Sequence, residues 1–438
     1  MSSEWASVSI GEIAGDWKGS MAVGPFGSRM KADLYVPSGV RVIRGNNLSG
    51  GREPEGDYVY VTEETADSLA SCCLKPGDLV FPHRGNIGEV GITPDDGLRY
   101  MLSTSLMKLS PDRKKAEPLY LVYFFKSVIG RAALLMNASQ VGTPGIATPL
   151  KSLRGIQLPL PPLVVQRQIA DTLSKLDNRI TLLRETNATL EAIVQALFKS
   201  WFVDFDPVRA KLEGRAPEGM DEATAALLPN GFEESELGLV PRGWRISTVG
   251  ESFVLTMGQS PPGDTYSNDG KGLPFYQGRT DFGFRFPTKR MYCSAPTRIA
   301  EIGDTLVSVR APVGDVNMAI ERCCVGRGVA SVRHPKDYRS FTFYAMRGLG
   351  QHFANFDSEG TIFGSINKKD FQALPVIAPA QRALAAYDAV SLPIDAMIVG
   401  NEEQIRTLAT LRDTLLPRLI SGQLRLPEAE LQTQEAVT

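Results

Sequence analysis

From Ile169 to Trp201 the chain places a seam residue at alternating steps of four and three: Ile169, Leu173, Leu176, Ile180, Leu183, Asn187, Leu190, Val194, Leu197 and Trp201. Asn187 is the one polar intruder. A 3.5-residue period held this long predicts a coiled-coil helix rather than a helix lying on a core. At about 1.5 Å per residue it makes a rod of roughly 50 Å. A second seam follows the same steps through Ile394, Ile398, Asn401, Ile405, Leu408, Arg412, Leu415 and Leu419. It is weaker: Asp388 spoils its start, Pro393 restricts its first turn, and Pro417 is expected to kink its end. A seam asparagine fixes register because it needs a partner of its own kind. If the two helices run antiparallel, Asn187 is expected opposite Asn401, which sets Leu183 against Ile405 and Ile169 against Leu419.

Each seam follows an apolar stretch stopped by proline, LPLPPLVVQRQI (158–169) and VIAPAQRALA (376–385). The prolines end a strand ladder and delay the first helix to Val164. The junction is one of several repeats in the same order. WASVSIGE (5–12) matches WRISTVGE (244–251), and VIRGNNL (42–48) matches FYQGRTD (275–281). PGDLVFPHRGNIGEV (76–90) aligns without a gap to IGDTLVSVRAPVGDV (302–316), and GTPGIATPLKSL (142–153) to GTIFGSINKKDF (360–371). In the ungapped pair a Gly-Asp turn leads into a short apolar strand, then an arginine, then a glycine-bounded turn. The expected fold class is therefore α+β, two mixed globular domains separated by two long helices. The boundaries are a first domain at 1–160, a first helix at 161–205, a connector at 206–240, a second domain at 241–378, a second helix at 379–425 and a tail at 426–438. The connector is acidic, punctuated by Pro and Gly, with one short helix expected near 221–228.

Composition changes this picture little. With 438 residues, 43% hydrophobic and 22% charged, the chain is long enough for two domains with cores. The net charge is −2, but the basic excess sits mainly in 241–378 while the helical segments are acidic. No apolar run approaches the ~18 residues of a spanning helix, and the start lacks the basic-then-apolar pattern of a signal peptide. A cytoplasmic protein without membrane association is expected. Cys72, Cys73, Cys293, Cys323 and Cys324 lack C-x-x-C spacing and read as small buried hydrophobes.

Catalytic motifs are missing. There is no phosphate loop, dinucleotide fingerprint, H-E-x-x-H or G-x-S-x-G elbow. His83, His334 and His352 have neither metal nor triad spacing, so no metal and no catalytic residue are assigned. The Asn/Asp-Pro-Pro-aromatic tetrapeptide and the glycine-rich S-adenosylmethionine loop of an amino-methyltransferase are also missing.

GPFGSRMKADLY (24–35), LPLPPLVVQRQIADTL (158–173), WFVDFDPVRAKLEG (201–214), LPNGFEESELGLVPRGW (228–244) and LLPRLISGQL (415–424), with the duplicated layout, resemble the specificity subunit of type I restriction–modification systems. The resemblance implies two target recognition domains, each reading half of a split site in double-stranded DNA, held by two antiparallel helices forming a coiled coil. It implies a non-catalytic chain. Two methyltransferase subunits would methylate adenine with S-adenosylmethionine, and restriction/translocase subunits would cleave DNA with ATP and Mg, while this chain binds no cofactor. Pro379-Ala380 replaces Pro161-Pro162 in the second copy, a departure from the pattern.

On that reading, base-edge contacts in the major groove carry specificity. Arg84 and Arg310 each end a strand at a glycine turn where a guanidinium could reach guanine or phosphate. The competing role is an ion pair with Asp78 or Asp304. Asn86 could read adenine, and Pro312 replaces it in the second copy. A second set is Ser139, Gln140 and Thr143, against Thr361, Ser365, Asn367, Lys368 and Lys369. A third is Arg44, Asn46 and Asn47, against Gln277 and Arg279. The helices would act as a ruler, so adding one four-residue turn is expected to change the spacer by one or two base pairs. The alternative is a coiled-coil scaffold or adaptor whose globular domains bind protein.

Overall fold

The computed structural model describes residues 5–26, 29–48, 50–139, 144–236, 238–358, 364–424 and 426–429. The chain packs as two compact units, Met1–Leu182 with Gln404–Thr438, and Leu183–Glu403. Each long helix is therefore shared, one half packing in each unit.

The first unit holds a four-stranded antiparallel sheet in the order Met21–Val23, Leu106–Leu109, Leu79–Pro82, Gly91–Ile92. A second sheet runs Val59–Val61, Val40–Ile43, Tyr100–Leu102, Cys73–Leu74, its central pair parallel. Ser7–Ser9 pairs antiparallel with Gln157–Pro159. The second unit repeats this plan. Its antiparallel sheet is Val254–Met257, Val329–Arg333, Thr305–Ser308, Val316–Met318. Its other sheet has five strands, and Leu273–Tyr276 runs parallel to Cys323–Val325. Arg245–Thr248 pairs with Pro375–Ala378. The repeats at 5–12, 42–48 and 76–90 thus fall on equivalent elements, while that at 142–153 is shifted by two residues: Gly145 corresponds to Ser365, each bridging the arginine of its unit.

The Gly-Asp turns show why. Gly77 and Gly303 adopt φ of 84° and 87°, open to glycine at little cost. The following aspartates then accept from the backbone three residues back, Asp78 from Lys75 N and Asp304 from Glu301 N, both at 3.0 Å. Each carboxylate also meets a cation on the neighbouring strand, Lys108 at 3.6 Å and Arg333 at 2.5 Å. The ion pairs imagined for Arg84 and Arg310 are therefore not made, because those two carboxylates are already engaged. The strands that follow, Leu79–Pro82 and Thr305–Ser308, are buried at every position, so neither alternates between a core face and a solvent face.

The first long helix spans Leu163–Phe202 and the second Gln381–Ser421. Gln166, fully buried, organises the start of the first: its Nε2 donates to Pro161 O and Lys115 O, and its Oε1 accepts from Glu117 N at 2.9 Å. The second continues through Pro393 and Pro417. Each proline removes one helical hydrogen bond, but buried Leu415, Leu416, Leu419 and Ile420 hold the last turns. In the first unit Arg412 donates to Asp177 at 2.8 Å and Arg179 to Gln404. In the second, Asn401 Nδ2 donates to Asn187 Oδ1 at 2.8 Å, Asn187 Nδ2 to Glu402 at 2.9 Å, and Tyr387 OH to Val194 O. Within each unit partner numbers fall as residue numbers rise, so the helix halves run antiparallel.

The second helix also corrects the hydropathy reading. It contains an 18-residue stretch of mean hydropathy 1.4, long and apolar enough to cross a membrane by composition. Yet this helix buries Asp388 and Asp395 in polar contacts of the second unit. The connector is more ordered than expected: helices at Asp206–Leu212 and Glu222–Ala226 are followed by a hairpin, Phe232–Ser235 with Gly238–Pro241. Aromatic packing anchors it, with the Phe232 ring 6.0 Å from the Phe205 ring just past the end of the first long helix. All five cysteines are free, and four are buried.

Candidate nucleic-acid interface

The turn that carries the repeated arginine is zipped to the polar loop in both units. In the first, Arg84 bridges Gly145, Gly85 N donates to Pro144 O at 3.0 Å, and Ile146 N to His83 O at 2.9 Å. In the second, Arg310 bridges Ser365, Ala311 N donates to Gly364 O at 2.9 Å, and Ile366 N to Val309 O at 3.1 Å. Two candidate sets remote in sequence therefore converge, in the same way, twice. Arg84, Asn86, Arg310 and Ser365 are all exposed. Among the described residues neither the Arg84 nor the Arg310 guanidinium has a hydrogen-bond or ion-pair partner. Gln140, Thr143 and Thr361 lie outside the described residues.

The two turns differ in build. Ser308 Oγ donates to Pro312 O at 2.8 Å and accepts from Asp315 N at 2.9 Å, bracing the second turn from below. Pro82 stands in the place of Ser308 in the first copy, which lacks that brace and presents Asn86 instead.

Lys368 and Lys369 are exposed in the first turn of helix Lys368–Ala373. Asn367 is its cap, accepting from Asp370 N at 3.0 Å and donating to the Asp370 carboxylate. Asn367 is therefore engaged in shaping the helix start, a common use of Asn, and stays exposed.

The third set divides. Asn47 is 1% exposed; its Oδ1 accepts from Arg44 N at 2.9 Å, and its Nδ2 donates to Glu55 O and Asp57 O. With its hydrogen bonds satisfied internally, it builds the turn and is withdrawn as a base contact. Asp281 plays the same part in the second copy, accepting from Gln277 N at 2.7 Å. Arg44 turns its guanidinium toward Asp57 O at 3.4 Å. Gln277 is exposed, and Arg279 pairs with Asp315 at 2.7 Å, which draws the third set onto the Arg310 turn.

A buried ionic clasp escaped the sequence reading. Arg285, 1% exposed, donates to Glu191 on the first long helix at 2.5 Å and to Asp395 on the second at 2.6 Å, and to Tyr344 OH at 2.7 Å. Its guanidinium lies 3.8 Å from the centre of the Phe343 ring. Arg347 also pairs with Glu191. Burial raises the Asp395 carboxyl, and Arg285 opposes that rise. The first unit has a looser version: Asp177 accepts from Tyr123 OH at 2.7 Å and Arg412 at 2.8 Å, with Arg52 at 3.8 Å. Matching Tyr and Asp residues across the repeats were the only signal in the sequence.

Residues 3–192 match the family model described as the type I restriction modification DNA specificity domain. A protein named as the specificity subunit of the type I restriction enzyme MjaX of Methanocaldococcus jannaschii is 28% identical over 442 residues, covering 95% of this chain and 96% of that one. The HindI specificity subunit of Haemophilus influenzae is 26% identical over 411 residues, covering 81% and 88%. The crystal structure of a type I restriction–modification S subunit from M. genitalium shares the fold, with a TM-score of 0.59 and 14% identity over 95% of this chain and 96% of that one. Matched over nearly its whole length to curated specificity subunits and over residues 3–192 to their domain model, and built as two units on one plan, the chain is similar to the specificity subunits of type I restriction–modification systems.

Proposed function

We propose that each unit is a target recognition domain reading one half of a bipartite DNA site, and that the two long helices pair as a coiled coil setting the distance between the halves. The observation that carries this reading is the duplicated turn: an exposed arginine, without a side-chain partner among the described residues, braced by two corresponding backbone hydrogen bonds in both units. A guanidinium held so is suited to guanine O6 and N7 in the major groove, where each base pair presents its own donor and acceptor pattern. Lys368 and Lys369 would contact phosphate, setting orientation without reading sequence. The chain itself is non-catalytic. Methyltransferase partners holding S-adenosylmethionine would modify adenine, and restriction partners using ATP and Mg would cleave.

Methylation mapping in cells carrying this chain and its methyltransferase partner tests the reading. A bipartite methylated-adenine motif is expected. Arg84→Ala should relax or abolish recognition of one half-site only, and Arg310→Ala the other, each at a cost of about 1–3 kcal/mol in binding. A map without any motif, or one in which both variants damage the same half, would refute it.

A further inference from the structure

We infer that Phe26 is a DNA wedge belonging to the first unit alone: its ring enters the base stack within the first half-site beside the Arg84 turn. The inference rests on the reading that this unit binds DNA. Phe26 is 59% exposed, an unusual placement for a Phe ring in a unit with a core available to it. Its loop leaves Met21–Val23 through Gly24, whose N donates to Leu106 O at 2.8 Å. Any Cβ at Gly24 would strike the Ser103 carbonyl, so the backbone is pressed onto the sheet and Pro25 restricts the next step. Phe26 is thereby presented from a fixed base.

The ring lies over the strand end that carries the candidate arginine. Its centre is 6.5 Å from the imidazole of His83, the residue before Arg84 and the one whose carbonyl accepts from Ile146 N. His83 is 2% exposed, and among the described residues neither ring nitrogen makes a hydrogen bond of good geometry. A buried imidazole without one calls for a reason, and a ring that moves off it to enter a base step would open it to a polar group of the DNA. The equivalent loop of the second unit offers the control. Gly258 N donates to Val329 O at 2.9 Å just as Gly24 N does to Leu106 O, but Gln259 and Ser260 follow, and Ser260 Oγ is taken by Arg327. An apolar side chain at the reading face is the kind of group that proteins insert between base steps, and base–aromatic stacking is sequence-tolerant.

The test uses the full chain without methyltransferase, so that no other subunit flips a base, on duplexes carrying the mapped target with 2-aminopurine at successive positions of each half-site. Wild type should raise 2-aminopurine fluorescence several-fold at one step of the first half-site and nowhere in the second. Phe26→Ala should abolish that signal and weaken binding about tenfold, with the unfolding temperature unchanged, while Phe26→Trp retains the signal. Binding without a fluorescence rise, or a rise that survives in Phe26→Ala, overturns the wedge and leaves DNA reading intact. Failure of wild type to prefer the target duplex over a scrambled one overturns both.

Discussion

At the residue scale, buried polar groups do separate jobs that their identity alone does not reveal. Asp388 is 4% exposed, accepts from Phe341 N at 3.3 Å, and is pushed up to about 7, chiefly by burial. The folded state therefore keeps a proton on it between about pH 4 and 7, whereas the unfolded chain releases it near 3.9. Stability from this group is full below the unfolded value and lost as pH rises through the folded one. Asp388→Asn keeps the acceptor and removes the titration, so it should leave stability nearly unchanged near pH 4 and raise it by ~2–4 kcal/mol at pH 8. Urea unfolding at the two pH values decides, and an equal effect at both would refute the assignment. The asparagines behave differently. Asn401→Leu strands the Oδ1 of fully buried Asn187 and should cost about 1–3 kcal/mol. Replacing both with Leu should recover most of that loss in a double-mutant cycle, since unmade hydrogen bonds cost more than absent ones. Residue type also explains why Asn47 reads in the sequence as a DNA contact: the amide that can meet a base edge also builds turns, and only its burial and partners distinguish the uses.

At the scale of elements, what could be read in advance was whatever depended on local order. The repeats, the proline-stopped junction and the heptad seams follow from neighbouring residues, and the elements sit where those patterns place them. Continuity through Pro393 and Pro417 was not readable, because the loss of one helical hydrogen bond is local while the packing that outweighs it comes from distant segments. The Arg285 clasp was hidden for the same reason: Glu191, Arg285, Tyr344 and Asp395 lie on four separate elements or loops. Such a group is costly to break from one side. Arg285→Met leaves buried Asp395 without its cation and Glu191 with Arg347 alone, and should destabilise the second unit by ~3–5 kcal/mol, whereas Arg285→Met with Glu191→Gln and Asp395→Asn should regain much of it. Thermal unfolding of the set tests this, and a neutral Arg285→Met would show that the clasp contributes nothing.

At the scale of the whole molecule, each long helix begins in one unit and ends in the other, so its length is a covalent constraint on both. If the helix pair sets the spacer, lengthening both helices where the units divide, after Leu182 and before Gln404, must change that spacer and nothing else. Four residues add about 6 Å of rise and turn the chain about 40° past a full turn. Two base pairs add about 7 Å and turn DNA about 70°. The two lattices nearly match in rise and differ by about 30° in rotation, an amount that a four-residue stutter relieves by local unwinding of the seam. A seven-residue insertion would add about 10.5 Å but turn the helix about 20° short of two full turns, while three base pairs turn DNA about 100°. It keeps the seam in phase and puts the second reading face out of phase with its groove. The four-residue variant should therefore methylate a site whose halves are unchanged and whose spacer is longer by one or two pairs, and the seven-residue variant should methylate poorly at any spacing. Methylation mapping of both variants separates the cases. An unaltered spacer in the four-residue variant would mean that the distance between half-sites is set by something other than these helices.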